Sequence, residues 1–218
     1  MEWLRRALYF EQPADYRETE NLTREAFWNQ YAPGCDEHYL AHILRGSPAF
    51  VPGLDAVALL DGKIVGNVMH VRSAIHRDDG LEYEVLALGP ISVLPAYQGQ
   101  GIGAQLIEHT RKLAREMGFR AVFLYGDPAY YSRQGFVAAE SFGIRTAENM
   151  YAVALQGYEL YPGALAGASG RYYEDEIYNV DKRASAAFDK SFPPKALLRD
   201  TPSQRRFQEI VVLQRPAD

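Results

Sequence analysis

Residues 89–109 read GPISVLPAYQGQGIGAQLIEH: a β-branched apolar run, a proline, glycines at 99, 101 and 103, then apolar positions at helical spacing. Glycine costs about 1 kcal/mol relative to alanine inside a helix, so three of them at a helix entrance need a compensating role. A helix N-terminus leaves its first four N–H groups unpaired and carries roughly half a positive charge. Glycines there let phosphate oxygens approach the backbone without side chains in between. The segment from Gln98 through Gly99, Gln100, Gly101, Ile102 and Gly103 to Ala104 therefore reads as a cradle for a phosphate-bearing ligand.

On the N-terminal side, LEYEVLALGPISVLP reads as one long strand entered from the turn Asp78-Asp79-Gly80. Before it, DAVALLDGKIVGNVMHVRSAI is a hairpin, because Asp61-Gly62 suits a type I′ turn between apolar runs. Residues 3–10 form a first strand. PADYRETENLTREAFWNQY follows, with Leu22, Ala26 and Phe27 on a helical stripe, and then a second helix with Asp36 as N-cap and Gly46 just past its end. On the C-terminal side the motif helix places Ile102, Leu106, Leu113 and Met117 on one face and stops at Gly118. AVFLYG is a buried strand, and Asp127-Pro128 opens a short helix that Gly135 closes. FVAAESFGI and NMYAVALQGYEL supply two more strands. This order predicts a mixed α/β layer architecture. Beyond Tyr161 the chain is richer in Pro, Gly and Ser, with a helical patch near 181–190 and an apolar patch at 210–213. Residues 1–161 are thus expected to form the domain and 162–218 a C-terminal extension packed on it.

The 23 Lys+Arg against 28 Asp+Glu give a net charge of −5, which argues against a nucleic-acid binder. The single cysteine, Cys35, excludes an intrachain disulfide framework. The opening MEWLRRALYFEQPADY lacks an apolar signal-peptide core, and no apolar run nears the ~20 residues that span a bilayer. A cytoplasmic protein without membrane partners is expected. His38 and His42 stand at i, i+4, the spacing of a zinc pair, but Tyr39 occupies the place of the metalloprotease glutamate, so no metal is expected. His109 is read as a partly buried structural histidine, and Arg111, Lys112 and Arg115 as a solvated face near a helix C-terminus.

Two phosphate-binding alternatives are weighed against the glycines. The P-loop fails because no lysine follows them. The dinucleotide fingerprint is nominally met by Gly99, Gly101 and Ala104, with Asp127 beyond. Against it, LPAYQ separates strand from glycines and too few βαβ units follow. VLPAYQGQGIGAQLI instead resembles the acetyl-CoA-binding motif of the GNAT superfamily of N-acetyltransferases, Gln/Arg-x-x-Gly-x-Gly/Ala, here Gln98, Gly101 and Gly103. YYSRQGF resembles the family's second signature, a tyrosine four residues before Gly-Phe, here Tyr131 before Gly135-Phe136. The resemblance covers roughly residues 3–160. It departs at Leu124, where many members carry an asparagine.

The resemblance implies a central mixed, mostly antiparallel sheet flanked by helices. It also implies direct transfer of the acetyl group of acetyl-CoA to a primary amine, on a small molecule or a peptide, in a ternary complex. A lysine-like amine has a pKa of ~10.4 and must lose a proton, and the departing thiolate resembles a cysteine of pKa ~8.5. Tyr131 is the expected acid. Glu82 and Glu84, on one face of the strand leading into the motif, are the candidate bases. Ile91, Ser92 and Val93 are expected beside the pantetheine arm. By the same resemblance Asp36, Glu37 and His38 could border the acceptor. A binding-only acyl-CoA sensor is the competing class, and pairing as a homodimer is left open.

Overall fold

The structure, a computed structural model, describes residues 6–217. Strand β1 (Arg6–Phe10) leads into α1 (Tyr16–Phe27) and α2 (Glu37–Leu44). The part of the expected first strand at 3–5 lies outside the described residues. β2 (Ala56–Leu60) and β3 (Lys63–Arg77) form the expected hairpin, with Asp61 at φ 51° and Gly62 at φ 81°, as a type I′ turn requires. β4 (Glu82–Val93) runs into the glycine loop and α3 (Ile102–Glu116). There follow β5 (Ala121–Tyr125), α4 (Pro128–Tyr131), and β6 (Val137–Ala138) and β7 (Ile144–Arg145) around a single 3-10 turn. β8 (Met150–Ala152), β9 (Leu155–Glu159), β10 (Gly170–Tyr173), α5 (Lys182–Asp189), α6 (Pro202–Val211) and β11 (Gln214–Pro216) complete the chain.

The main sheet is mixed and mostly antiparallel. Its order is β1-β2-β3-β4-β5-β9-β6, with β4 and β5 parallel. That parallel pairing covers only Leu86↔Val122 and Ala87↔Phe123, after which the two strands separate. β10 lies against the distal half of β3, in the lane that β2 vacates, from Gly170↔Arg77 to Tyr173↔Ala74. The segment after Tyr161 therefore contributes a strand to the sheet as well as helices on its surface. α3 covers one face, where Ile102 and Leu106 close against Gly66: a Cβ there would stand 3.0 Å from both side chains. α1 and α2 cover the other face, α2 packing on Met69 and Val71. No helix among the described residues is long and apolar enough to cross a membrane.

Several local expectations are corrected by packing. FVAAESFGI is not one strand, because a 3-10 turn at Ala139–Phe142 divides it. Met117 is half exposed, and Ile107 and Ala114 fill the buried stripe of α3 instead. Asp36 does not cap α2 with its side chain; it accepts from Ser185 (2.6 Å) and pairs with Lys182, holding α5 on α2. Arg111 is not a solvated cation. It is buried, donates to the Gln134 carbonyl and stacks 4.1 Å from the Tyr158 ring.

Beneath α1 lies a buried polar cluster. Arg45 bonds Glu11 and Glu20 at 2.8 and 3.1 Å, and Asn67 donates to Asp55 at 2.9 Å. Burial, and then the neighbouring Glu11, hold the Asp55 carboxyl well above the usual carboxylate range. A group raised on folding contributes stability below its unfolded value, about 3.9, that is lost as pH rises through its folded value. Asp55→Asn keeps a donor for Glu11 and an acceptor for Asn67 but cannot ionise. The melting temperature of the variant relative to the parent is therefore expected to increase from pH 5 to pH 9 in thermal melts. Parallel curves would contradict the assignment.

Candidate active site

The separation of β4 from β5 creates the site. Leu94 N–H donates to Val65, so the backbone groups of alternate residues turn towards β3, and those of Ile91 and Val93 turn to the open edge. A cleft of about 540 Å³ opens along this edge, lined by Ile91, Val93, Tyr97, Gln98, Gly99, Gly101, Ile102, Gly103 and Ala104 from one side. Tyr130, Tyr131, Arg133 and Gln134 line the other. The two sequence signatures, some thirty residues apart, thus face each other across one space.

The loop is built for backbone contact. Gly99 (φ 74°) and Gly101 (φ 80°) are left-handed, a conformation that carries little penalty only for glycine. Gly101 is the N-cap of α3 and no side chain caps the helix. The first helical hydrogen bond is Gln105 N–H to Gly101, so the N–H groups of Ile102, Gly103 and Ala104 have no acceptor within the helix. Gln98 Nε2 bonds the Val93 carbonyl at 3.0 Å and fixes the loop to the strand end. A Cβ on Gly103 would stand 2.5 Å from the Tyr130 hydroxyl, so that tyrosine closes over the helix entrance.

Tyr131 packs against Gly126, where a Cβ would meet its Cε2 at 2.3 Å. α4 is set by Asp127, whose side chain caps it at Ala129 N–H (2.8 Å) and is itself clasped by Arg206 of α6 at 3.0 Å. Arg206 holds the Asp127 carboxyl below the usual range. Arg111, through the Gln134 carbonyl, ties α3 to the turn after α4. Burial, with lesser contributions from Tyr31 and Tyr130, pushes the Tyr131 phenol far above 10.

Other sequence candidates fall elsewhere. Ser92 turns its side chain to the opposite face, onto Thr23 of α1 (3.0 Å). Glu84 is exposed and paired with Arg72 at 2.7 Å, and Glu82 lies 3.5 Å from His76. Glu84 precedes Ile91 by seven residues, about 23 Å of strand, so neither glutamate lies in the cleft. Leu124 is buried in the core. His38 is buried 3.1 Å from Asp189 while His42 faces Glu20 at 2.8 Å, so the pair does not converge. Cys35, beside His38, has its thiol pushed far up by burial, which suppresses the nucleophilic thiolate.

Sequence reasoning missed Glu174. It follows β10, and its charge acts on the hydroxyls of Tyr125, Tyr172 and Tyr178. Tyr178 in turn donates to the Gly89 carbonyl at 2.9 Å, just past the last β4–β5 pair. Water reaches Glu174, but the surrounding protein desolvates its carboxyl and raises it to about 7. No local motif marks this residue. β10 carries it to these three tyrosines, outside the lining of the cleft.

Comparison with known proteins agrees with this geometry. The profile described as the acetyltransferase (GNAT) family matches residues 7–136. YhbS of Escherichia coli K12, described as an uncharacterized N-acetyltransferase, is 30% identical over 159 residues, 68% of this chain and 93% of its own. YjhQ of the same organism, described in the same way, is 37% identical over 86 residues, a match covering 39% of this chain and 46% of YjhQ. The crystal structure of YhbS in complex with CoA superposes with a TM-score of 0.73 at 29% identity, covering 83% of this chain and 95% of that one. A GNAT acetyltransferase from Brucella melitensis in complex with acetyl-CoA gives 0.61 at 29% identity, covering 80% and 98%. The chain belongs to the GNAT family of acetyltransferases and is an acyltransferase.

Proposed function

We propose that this protein transfers the acetyl group of acetyl-CoA directly to a primary amine while both substrates are bound. The observation that carries the reading is the single cleft that joins the uncapped α3 entrance, the open edge of β4 and Tyr131. The residues fit the coenzyme. N–H groups of Ile102, Gly103 and Ala104 would hold its diphosphate, with the helix dipole favouring the charge. The edge groups of Ile91 and Val93 would pair with the amides of the pantetheine arm, as a missing strand would. Crystal structures of YhbS with CoA and of the Brucella protein with acetyl-CoA support the same coenzyme here.

The amine nitrogen, once deprotonated, attacks the thioester carbonyl carbon; the C–S bond breaks, CoA leaves as the thiolate, and the second proton shed by the nitrogen reaches the sulfur through solvent. The Tyr131 phenol hydrogen-bonds the sulfur as negative charge develops. Glu174, raised to about 7 and standing outside the lining of the cleft, would take the ammonium proton through water and not by direct contact. The suppressed Cys35 thiolate favours direct transfer over an acyl-enzyme. The test is CoA thiol release with varied acetyl-CoA and amine. Intersecting initial-rate lines and acetylated amine by mass spectrometry are expected. Parallel lines with acetylated protein would overturn direct transfer, and tight CoA uptake without turnover across amines would overturn the enzyme reading.

A further inference from the structure

Behind the coenzyme cleft lies a second recess of about 440 Å³ between the end of β5 and α6. Tyr31, Tyr125, Phe207, Ile210 and Val211 make its walls, and Gly126 its inner floor. Gly126 is also the residue against which Tyr131 of the cleft packs, so the recess and the cleft approach each other at the Tyr131 ring. Tyr31 and Tyr125 are each 44% exposed although they are large aromatics. Their hydroxyls are nonetheless strongly desolvated, Tyr31 being raised to about 12. Side chains that water reaches while protein surrounds them line a concavity, not a convex surface.

Two carboxylates outside the lining are near enough to act on its two tyrosine hydroxyls. Glu37 acts on the Tyr31 hydroxyl and Glu174 on that of Tyr125. The outer rim is closed by the Arg206–Asp127 pair, which also fixes α6 to the helix bearing Tyr131. Apart from Ser203 the rest of the lining is aromatic or aliphatic, with the Tyr31 and Phe207 rings 4.8 Å apart. A polyamine or a sugar placed here would leave polar groups unpaired against Phe207, Ile210 and Val211. A compact hydrocarbon with one ammonium would satisfy both ends.

We propose that this recess seats the acceptor, and that the acceptor is a primary monoamine carried on an aromatic ring or an apolar group of similar size. Phe207 and Ile210, outside the segment that matches the family profile, set that preference. The inference rests on acetyl transfer in the neighbouring cleft.

The test compares 2-phenylethylamine with spermidine as acceptors in the full-length protein. The expected kcat/KM is at least about tenfold higher for 2-phenylethylamine, within the range an apolar pocket supplies. Phe207→Ala is expected to lower kcat/KM for 2-phenylethylamine about tenfold, chiefly through KM, with the Kd of acetyl-CoA within about twofold. If that variant does not fold, Phe207→Leu serves the same comparison, with a loss of about threefold or more expected from the smaller contact. Equal efficiency with spermidine, or an unchanged KM in a folded variant, overturns this inference alone. Absence of CoA release with every amine, despite CoA binding, overturns it together with the transfer reading.

Discussion

Tyr131→Phe is expected to lower kcat by roughly 10²–10³-fold, the usual cost of removing one hydrogen-bond donor aimed at developing charge. The Kd of acetyl-CoA, by calorimetry, should change little, because the ring still fills its place against Gly126 and Phe136. The phenol is raised well above 10 by burial, so it holds its proton throughout the neutral range. A thiol such as that of CoA titrates near 8.5, so full transfer from this tyrosine to the thiolate is uphill. Its contribution is a short hydrogen bond that strengthens as charge reaches sulfur, in a site where water is scarce. The loss therefore falls on kcat and kcat/KM alike. Tyr130 provides the internal control: its hydroxyl sits over Gly103, at the coenzyme end. Unchanged turnover in Tyr131→Phe would remove the hydrogen bond to sulfur from the mechanism.

The coenzyme side of this site was legible because its determinants are local. A glycine loop needs left-handed residues at 99 and 101, and a Tyr-x-x-x-Gly-Phe turn needs Gly135 at φ 82°; both are written in consecutive residues. The acceptor side was not, because tertiary contacts build it. Glu82 and Glu84 were reasonable bases on strand periodicity. Which end of β4 meets the cleft, however, depends on where β5 departs, and pairing ends at Ala87, so the open stretch runs from there to Val93, away from both. Glu174 depends on β10 docking to β3, ninety-nine residues away at the Tyr172–Ser73 contact. Arg111 looked solvated from its helical position because nothing in α3 announces that the Gln134 carbonyl will cover it. The Asp36 cap lost to tertiary partners in α5 for the same reason.

The phosphate cradle is open to a sharper test than deletion. Gly101 stands at φ 80° with no atom within 4 Å of a Cβ built on it, so a substitution there meets open cleft and not the core. Asn and Asp tolerate this backbone better than other residues and are nearly isosteric. Gly101→Asn is expected to weaken CoA by about three- to tenfold, through crowding of one or two weakened N–H contacts of about 1 kcal/mol. Gly101→Asp adds a negative charge beside the diphosphate. At about 5 Å and an effective dielectric near 20, one pair of unit charges repels by about 3.3 kcal/mol, a further factor of roughly 200 in Kd. The difference between the two variants should shrink as salt is raised, because Gly101 is exposed and screening reaches it. Pantetheine, which lacks the diphosphate, should bind all three proteins with similar affinity. If Asp and Asn weaken CoA equally, or if pantetheine follows CoA, the diphosphate does not rest on the entrance of α3, and the orientation of the whole coenzyme in the cleft is reversed or displaced.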